Sequence, residues 1–399
     1  MIVHNAAGRS PDDAEALAAC ALSAVPGMGA ASLARVALAF GSLGRAVEAG
    51  PGALASCPSS RLPPRAREFL AQRPDLRSLG TWAAEAAQKA GARVVTLGGS
   101  GYPELLGQID NPPPVLYVRG ELVPRAKRVA LVGARAADEA ASALARELAE
   151  DLAAAGIEVV SGGARGVDAS AHAGALWGGG RTVAVLGTGI DVVYPPENGD
   201  LFAGIAASGG AVLSELPPGT PSSRVNFPRR NRTIAGLAHA TVVVRATAAS
   251  GALITARHAL AQGRRVLAVP AAPHDPLGAG PESLLRAGIA APVASAADIV
   301  RALDWPMSDR LAIREAGRKT SKPAAGWTPP APPAVEPLAG AARQVWDALE
   351  PGRPLHADAI AARAGLRPDE ALRRLTELEL EGCIQQKPGK YFVRRAGWS

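Results

Sequence analysis

Cysteine is scarce in this chain, with three in 399 residues, Cys20, Cys57 and Cys383, and these have neither pairing nor metal-ligand spacing. An odd, scattered set excludes a disulfide scaffold or a cysteine zinc site and fits a reducing cytosol, so the thiols are assigned to packing. Uninterrupted apolar runs are also missing. No segment reaches about 18 residues, and the N-terminus lacks a basic stretch followed by an apolar run and a cleavage site. A soluble, cytoplasmic protein with no membrane partner is expected. Two phosphate signatures are absent as well. There is no Gly-x-x-x-x-Gly-Lys-Ser/Thr run, and in Gly133-Ala134-Arg135-Ala136-Ala137-Asp138 an arginine stands at the second glycine of the dinucleotide fingerprint. NAD and ATP are therefore set aside, and no cofactor is expected.

What is present is length, apolar content and positive charge. A chain of this size implies about two or three domains, and its 48% apolar content can fill their cores. The formal charge of +7 and pI near 9.7 favour a polyanionic partner, although Ala- and Arg-rich composition throughout makes charge a weak guide.

Residues 11–85 read as short helices with Pro/Gly joints, a small domain of the SAM or helix-hairpin-helix kind. In it Leu22-Ser23-Ala24-Val25-Pro26-Gly27-Met28-Gly29 resembles a helix-hairpin-helix turn, whose glycines let backbone N–H groups approach a phosphate. A helical bundle with a tight turn and no DNA contact explains it equally well. Arg93 to Leu97 and Val115 to Val118 are brief β-branched runs. Residues 86–305 read as the next domain with its extension, and from about residue 120 strands and helices alternate. Arg128 to Val132, Ile157 to Val160, Thr182 to Leu186, Ala211 to Leu213, Ala240 to Val244 and Arg265 to Val269 are the candidate strands. Apolar strands alternating with helices imply α/β architecture, a Rossmann-like doubly wound parallel sheet covered on both faces. Ligands of such sheets lie beyond the carboxyl ends of the strands.

The loops at those ends share a chemistry suited to phosphate. They carry Gly133 and Arg135, then Gly162, Arg165 and Gly166, then Gly187, and finally Ser250 and Gly251. Four arginines fall within nine residues in Arg224, Arg229, Arg230 and Arg232, beside Phe227 and Asn231 at a helix start. Planar guanidinium forks, helix N-termini and glycine backbones suit polyanion binding, whereas a solvated basic turn is the plain alternative. Arg230 and Arg232 lie two apart and diverge by about 200° on a helix. Only one of the two is therefore expected to reach phosphate fully, the other pairing with a carboxylate such as Glu215 or holding the loop. Phe227 is either a base-stacking face or core. Asp168 and His172 read as capping and packing, because no nucleophile or metal-ligand spacing accompanies them.

Ser161 to Asp168, Gly187-Thr188-Gly189-Ile190-Asp191 with Tyr194-Pro195, Ser214-Glu215, Phe227 to Arg232 through Leu237, and Ser250-Gly251 with Thr255-Ala256 together resemble the DNA-processing protein A family, DprA or Smf. The likeness runs from about Tyr102 to Pro270 and more loosely beyond. It implies a dimeric, cytoplasmic protein of DNA uptake and natural transformation that binds and protects incoming single-stranded DNA and helps load the RecA recombinase. It also implies a binding protein and not an enzyme. The chain departs from the pattern at Arg245, where an acidic residue is usual, at Thr233 for a common Ile, and at Ala271 for a common Gly. The segment Gly280 to Leu285 lacks the usual Asn. The second function considered, a hydrolase resembling nucleoside-monophosphate phosphoribohydrolases, needs a Glu that Ala248 to Ala256 does not contain. Arg230 matches the Arg of that family's motif, a resemblance that implies Arg230 on phosphate and Arg232 in a structural role.

Residues 306–338 read as a linker in which prolines forbid regular helix, made basic by Arg310, Arg314, Arg318, Lys319 and Lys322. Residues 339–396 read as a C-terminal winged-helix domain. Its helices are expected around Val345 to Leu349, Asp358 to Ala364 and Pro368 to Glu381, followed by a hairpin of Cys383 to Gln386 and Tyr391 to Arg394. Ala371, Leu372, Leu375 and Leu378 would form the apolar face of the third helix. The many acidic residues of that helix suit protein contact or auxiliary DNA binding better than groove reading.

Overall fold

The apolar runs of the middle of the chain become neighbouring strands of one sheet. The structure is a computed structural model that describes residues 11–272, 275–318, 340–350, 354–380, 384–387 and 391–394. The chain divides into two compact units, residues 1–281 with 292–320, and residues 282–291 with 321–399.

The first unit begins with five helices, α1 (Pro11–Ser23), α2 (Ala30–Phe40), α3 (Leu43–Ser56), α4 (Pro64–Ala71) and α5 (Leu76–Lys89). Their ends are capped from the sequence. The Glu15 carboxylate of α1 accepts from the N–H groups of Leu43 and Gly44 at 2.9 and 2.8 Å, and Asp75 accepts from Arg77 and Ser78 at 3.0 and 3.1 Å. Helices α1 and α5 pack backbone to backbone because position 80 is glycine, where a Cβ would come within 2.4 Å of the Leu17 carbonyl. Cys20, Leu22, Val36, Leu54 and Leu70 are fully buried and share one hydrophobic core with Val115, Tyr117, Phe202 and Ile205, so the bundle is seated on the sheet. Among the described residues no single helix is long and apolar enough to cross a membrane.

Eight strands of four or more residues follow: β1 (Arg93–Thr96), β2 (Val115–Gly120), β3 (Arg128–Val132), β4 (Glu158–Ser161), β5 (Thr182–Val185), β6 (Ala211–Ser214), β7 (Ala240–Val243) and β8 (Arg265–Ala268), with α6 (Glu104–Gly107) between β1 and β2 and α9 (Gly199–Ala207) between β5 and β6. They lie in the order β1-β2-β6-β5-β4-β3-β7-β8. From β6 to β8 every pairing is parallel, with helices between the strands, and the strands are buried along nearly their whole length, as their continuous apolar sequences predict. The two brief β-branched runs add an antiparallel edge, β2 pairing with β6 and β1 with β2. After β3 the chain builds outward through β4, β5 and β6, then returns to the other side with β7 and β8. The strand order thus reverses between β3 and β7, which is where a ligand of an open α/β sheet is held.

The linker expectation needs correction. Asp309–Arg318 is a helix, because no proline falls between Pro306 and Pro323. Leu311 is 3% exposed and belongs to the core that β3, β4 and β7 build with α7 (Glu139–Ala154) and α8 (Val167–Trp177). Arg314 pairs with Glu150 at 2.8 Å and with Asp151, and Arg301 pairs with Glu315 at 2.7 Å. Arg314 is therefore tied to the body of the unit. Lys319, Lys322 and the proline run from Pro323 lie outside the described residues.

In the second unit the helices Gly340–Asp347, Ala357–Ala364 and Pro368–Leu380 surround Trp346, Ile360, Leu375, Leu378 and Phe392. The hairpin Ile384–Lys387 with Tyr391–Arg394 gains a third strand, Leu355–His356, and gives a winged helix. Leu372 is 39% exposed and not on the buried face. Ala371, Leu375 and Leu378 keep the helical repeat, whereas residue 372 points about 100° away. Cys383, Glu381 and the hairpin turn lie outside the described residues.

If the Asp309–Arg318 helix is part of the core, Leu311→Ala will destabilise the protein by about 2–5 kcal/mol in urea unfolding. A change within about 0.5 kcal/mol would show that the helix only rests on the surface.

Candidate nucleic-acid interface

The basic stretch forms α10 (Asn226–Leu237), with Pro228 in the first turn, where its missing N–H costs little. The helical repeat sends its arginines in different directions. Arg232 donates from Nη1 to the carbonyls of Asp110 and Asn111 at 2.9 and 2.5 Å, and lies 3.7 Å from Glu215, the carboxylate expected for it. Burial raises the pKa of that carboxyl group, an effect the arginines around it oppose.

Arg230 does not stand on the rim. It is 3% exposed and donates from Nη1 to the carbonyls of Gly162 and Val185, at the ends of β4 and β5. Burial lowers its pKa to about 10, with Asp168 opposing the shift, so it stays charged at neutral pH. Its place in the sequence motif suggested phosphate. The face of α10 that carries it packs onto the strand ends, where the guanidinium also lines a hollow between the loops after β3 and β7.

Other groups form the exposed surface. The Arg135 guanidinium lies 4.9 Å over the Phe227 ring, and the Tyr194 ring stands 5.5 Å from it at 38°. Phe227 is half-buried against Gly187, where a Cβ would come within 2.7 Å of Cδ1, so it is neither wholly core nor free. Tyr194 is 36% exposed and was not among the residues chosen from sequence. The signal that could have found it is an aromatic next to proline in the loop after β5. Arg165 is exposed but pairs with Glu197, which offsets part of its charge. Arg229 is exposed, has no ion-pair partner among the described residues, and reaches the position where a side chain at Gly29 would stand. The Gly27–Gly29 turn thereby forms one wall of a cleft of about 710 Å³, with Arg229 and Arg232 opposite.

The glycines separate into two kinds. A Cβ at Gly162 would come within 2.2 Å of Arg230 and 2.6 Å of Asp168, and those at Gly133 and Gly166 would meet carbonyls of Arg245 and Ala134. These three serve the protein's own packing. Gly251, by contrast, faces open space at the start of α11 (Gly251–Ala261), whose cap Ser250 accepts from Ala252 N–H at 3.2 Å. Asn231 ties the two helices by donating to the Gly251 carbonyl at 3.2 Å.

Asp168 accepts from the N–H groups of Gly162 and Ala164 at 3.1 and 3.4 Å. His172 is fully buried against the Thr182 hydroxyl at 2.7 Å, and burial lowers its pKa to about 3. Both side chains are engaged inside the protein, Asp168 by loop N–H groups and His172 by packing. Arg245, the departure from the family pattern, pairs with Asp275 at 3.0 Å. No group of three His, Cys, Asp or Glu that could hold a metal occurs among the described residues.

Residues 93–304 match the family model described as DNA recombination-mediator protein A, and residues 329–390 match the DprA winged helix domain. The chain belongs to the DNA recombination-mediator protein A family. It is 36% identical over 313 residues to the Smf protein of Synechocystis, covering 74% of this chain and 78% of that one. To a putative DNA processing protein DprA of Mycobacterium tuberculosis it is 40% identical over 291 residues, 71% and 70% of the two chains. The solved DNA processing protein A of Streptococcus pneumoniae superposes with a TM-score of 0.60 at 29% identity, over 74% of this chain and 99% of that one. Every strand-end residue described above lies in the segment that matches this DNA recombination-mediator family. The helical bundle precedes that segment.

If Arg230 fastens the strand ends, Arg230→Ala will cost roughly 3–5 kcal/mol of stability, because it leaves Asp168 buried without its counter-charge. A melting temperature equal to that of the parent protein would return Arg230 to the exposed surface.

Proposed function

We propose that this DNA recombination-mediator protein A family member binds single-stranded DNA along the carboxyl rim of its sheet, through phosphates and not through base sequence. The observation that carries this reading is the stack of Arg135, Phe227 and Tyr194. A guanidinium for phosphate and aromatic faces for unpaired bases occur there together, as single-strand binding requires. Arg165, Arg229 and the open start of α11 at Ser250 and Gly251 extend the same surface. Duplex DNA keeps its bases stacked inside and has no use for the aromatic pair. In this reading the protein is a cytoplasmic homodimer without cofactor. It protects incoming DNA during uptake and natural transformation and helps to load the RecA recombinase, roles that the family resemblance implies.

It acts as a binding protein and not as an enzyme. The phosphoribohydrolase alternative requires a carboxylate free to assist glycosidic cleavage. Residues 248–256 contain none, and Asp168 is engaged by two backbone N–H groups.

Affinity for oligothymidine should fall with salt at a log–log slope of about −0.7 per phosphate neutralised. Arg135→Ala should weaken binding roughly 10- to 150-fold with the melting temperature unchanged. Salt-independent binding, or full affinity in Arg135→Ala, would exclude the rim. Release of free base from nucleoside monophosphates would favour the hydrolase.

A further inference from the structure

The hollow between the loops after β3 and β7, about 480 Å³, falls in the size range of small-ligand sites, ~300–1,000 Å³. Among the described residues its floor is Val132, Arg230, Ile234 and Thr255, which are 3, 3, 1 and 2% exposed. Its mouth is Arg135, Ala136, Thr247 and Gly251, all exposed. A strand can enter from the rim but has no way out through the floor.

The donors in the hollow exceed what the protein itself satisfies. Arg230 lines it nearly fully buried, yet its Nε has no hydrogen-bond partner among the described residues. The Gly251 N–H, at the positive end of α11, has no partner among the described residues either. Among the described residues the charged groups lining it are Arg135 and Arg230 against Asp168, an excess of positive charge beside the helix start. A buried guanidinium with an unused donor is costly unless an acceptor reaches it.

A phosphodiester within a strand carries one negative charge and must continue on both sides. A terminal phosphomonoester carries about −1.5 to −2 at neutral pH, offers three acceptor oxygens and continues on one side only. We propose that this hollow captures the phosphorylated end of a DNA strand, with Arg135, Arg230 and the Gly251 N–H as the groups that meet the phosphate. This inference rests on the rim as the strand-binding surface, along which the remainder of the strand would lie. It assigns the hollow to strand ends and the Phe227–Tyr194 face to the nucleotides that follow.

The test compares equilibrium binding by the full chain of a short oligothymidine carrying a 5′-phosphate, a 3′-phosphate, or hydroxyls at both ends. One phosphorylated form should bind about tenfold or more tightly than the hydroxyl form, and which one does so gives the polarity. Equal affinity for all three overturns the proposal. Thr247→Asp places a negative charge at the exposed mouth. It should abolish the advantage of the phosphorylated end while the hydroxyl form binds as before, and Thr247→Asn should retain the advantage. An advantage that survives Thr247→Asp overturns the assignment to this hollow. Absence of binding by all three oligonucleotides removes the rim reading itself, and end capture with it.

Discussion

The Arg230 guanidinium, buried beneath α10, is the contact on which the rest of the site depends. It joins the carbonyls that end β4 and β5, and Asp168 opposes the cost of burying its charge. A charge taken out of water is tolerated only when paired and hydrogen-bonded. The local sequence follows from this. Position 162 must be glycine because the guanidinium and Asp168 occupy the space of its side chain. Asp168 must sit in the first turn of α8 to reach both the arginine and the loop N–H groups. Once Arg230 points down, the helical repeat sends Arg232 toward the connector at Asp110 and Asn111 and leaves Arg229 exposed.

The outward surface combines two weak attractions. Arg135 over Phe227 keeps a charged fork beside an aromatic face, so one place offers electrostatic attraction for phosphate and stacking for a base. The Arg165–Glu197 pair tempers the field on one side, and Arg229 leaves it unopposed on the other. Net charge alone misses this distribution, since several arginines are consumed inside the protein. Arg128 is fully buried against Glu158, and Arg314 is paired with α7.

Much of this was legible in the sequence. Apolar runs marked six parallel strands to within a residue or two, because strands covered on both faces carry few polar positions to confuse the pattern. The antiparallel edge was not legible, since pairing direction leaves no trace in a brief β-branched run. The helix at Asp309–Arg318 was obscured by counting prolines across the whole segment without regard to their spacing. The arginine cluster was found, but the face each side chain takes depends on which side of α10 packs on the strand ends, and that is a tertiary fact. Glycines read as leaving room for phosphate turned out mostly to leave room for the protein's own atoms, Gly251 excepted.

The central claim is that the carboxyl rim of the sheet holds single-stranded DNA. A crystal structure of the full chain with a short oligothymidine tests it most directly. The account predicts phosphates within hydrogen-bond distance of Arg135 and a base against Phe227 or Tyr194. DNA bound only to the winged-helix unit, with the Arg135–Phe227 surface bare, would contradict it.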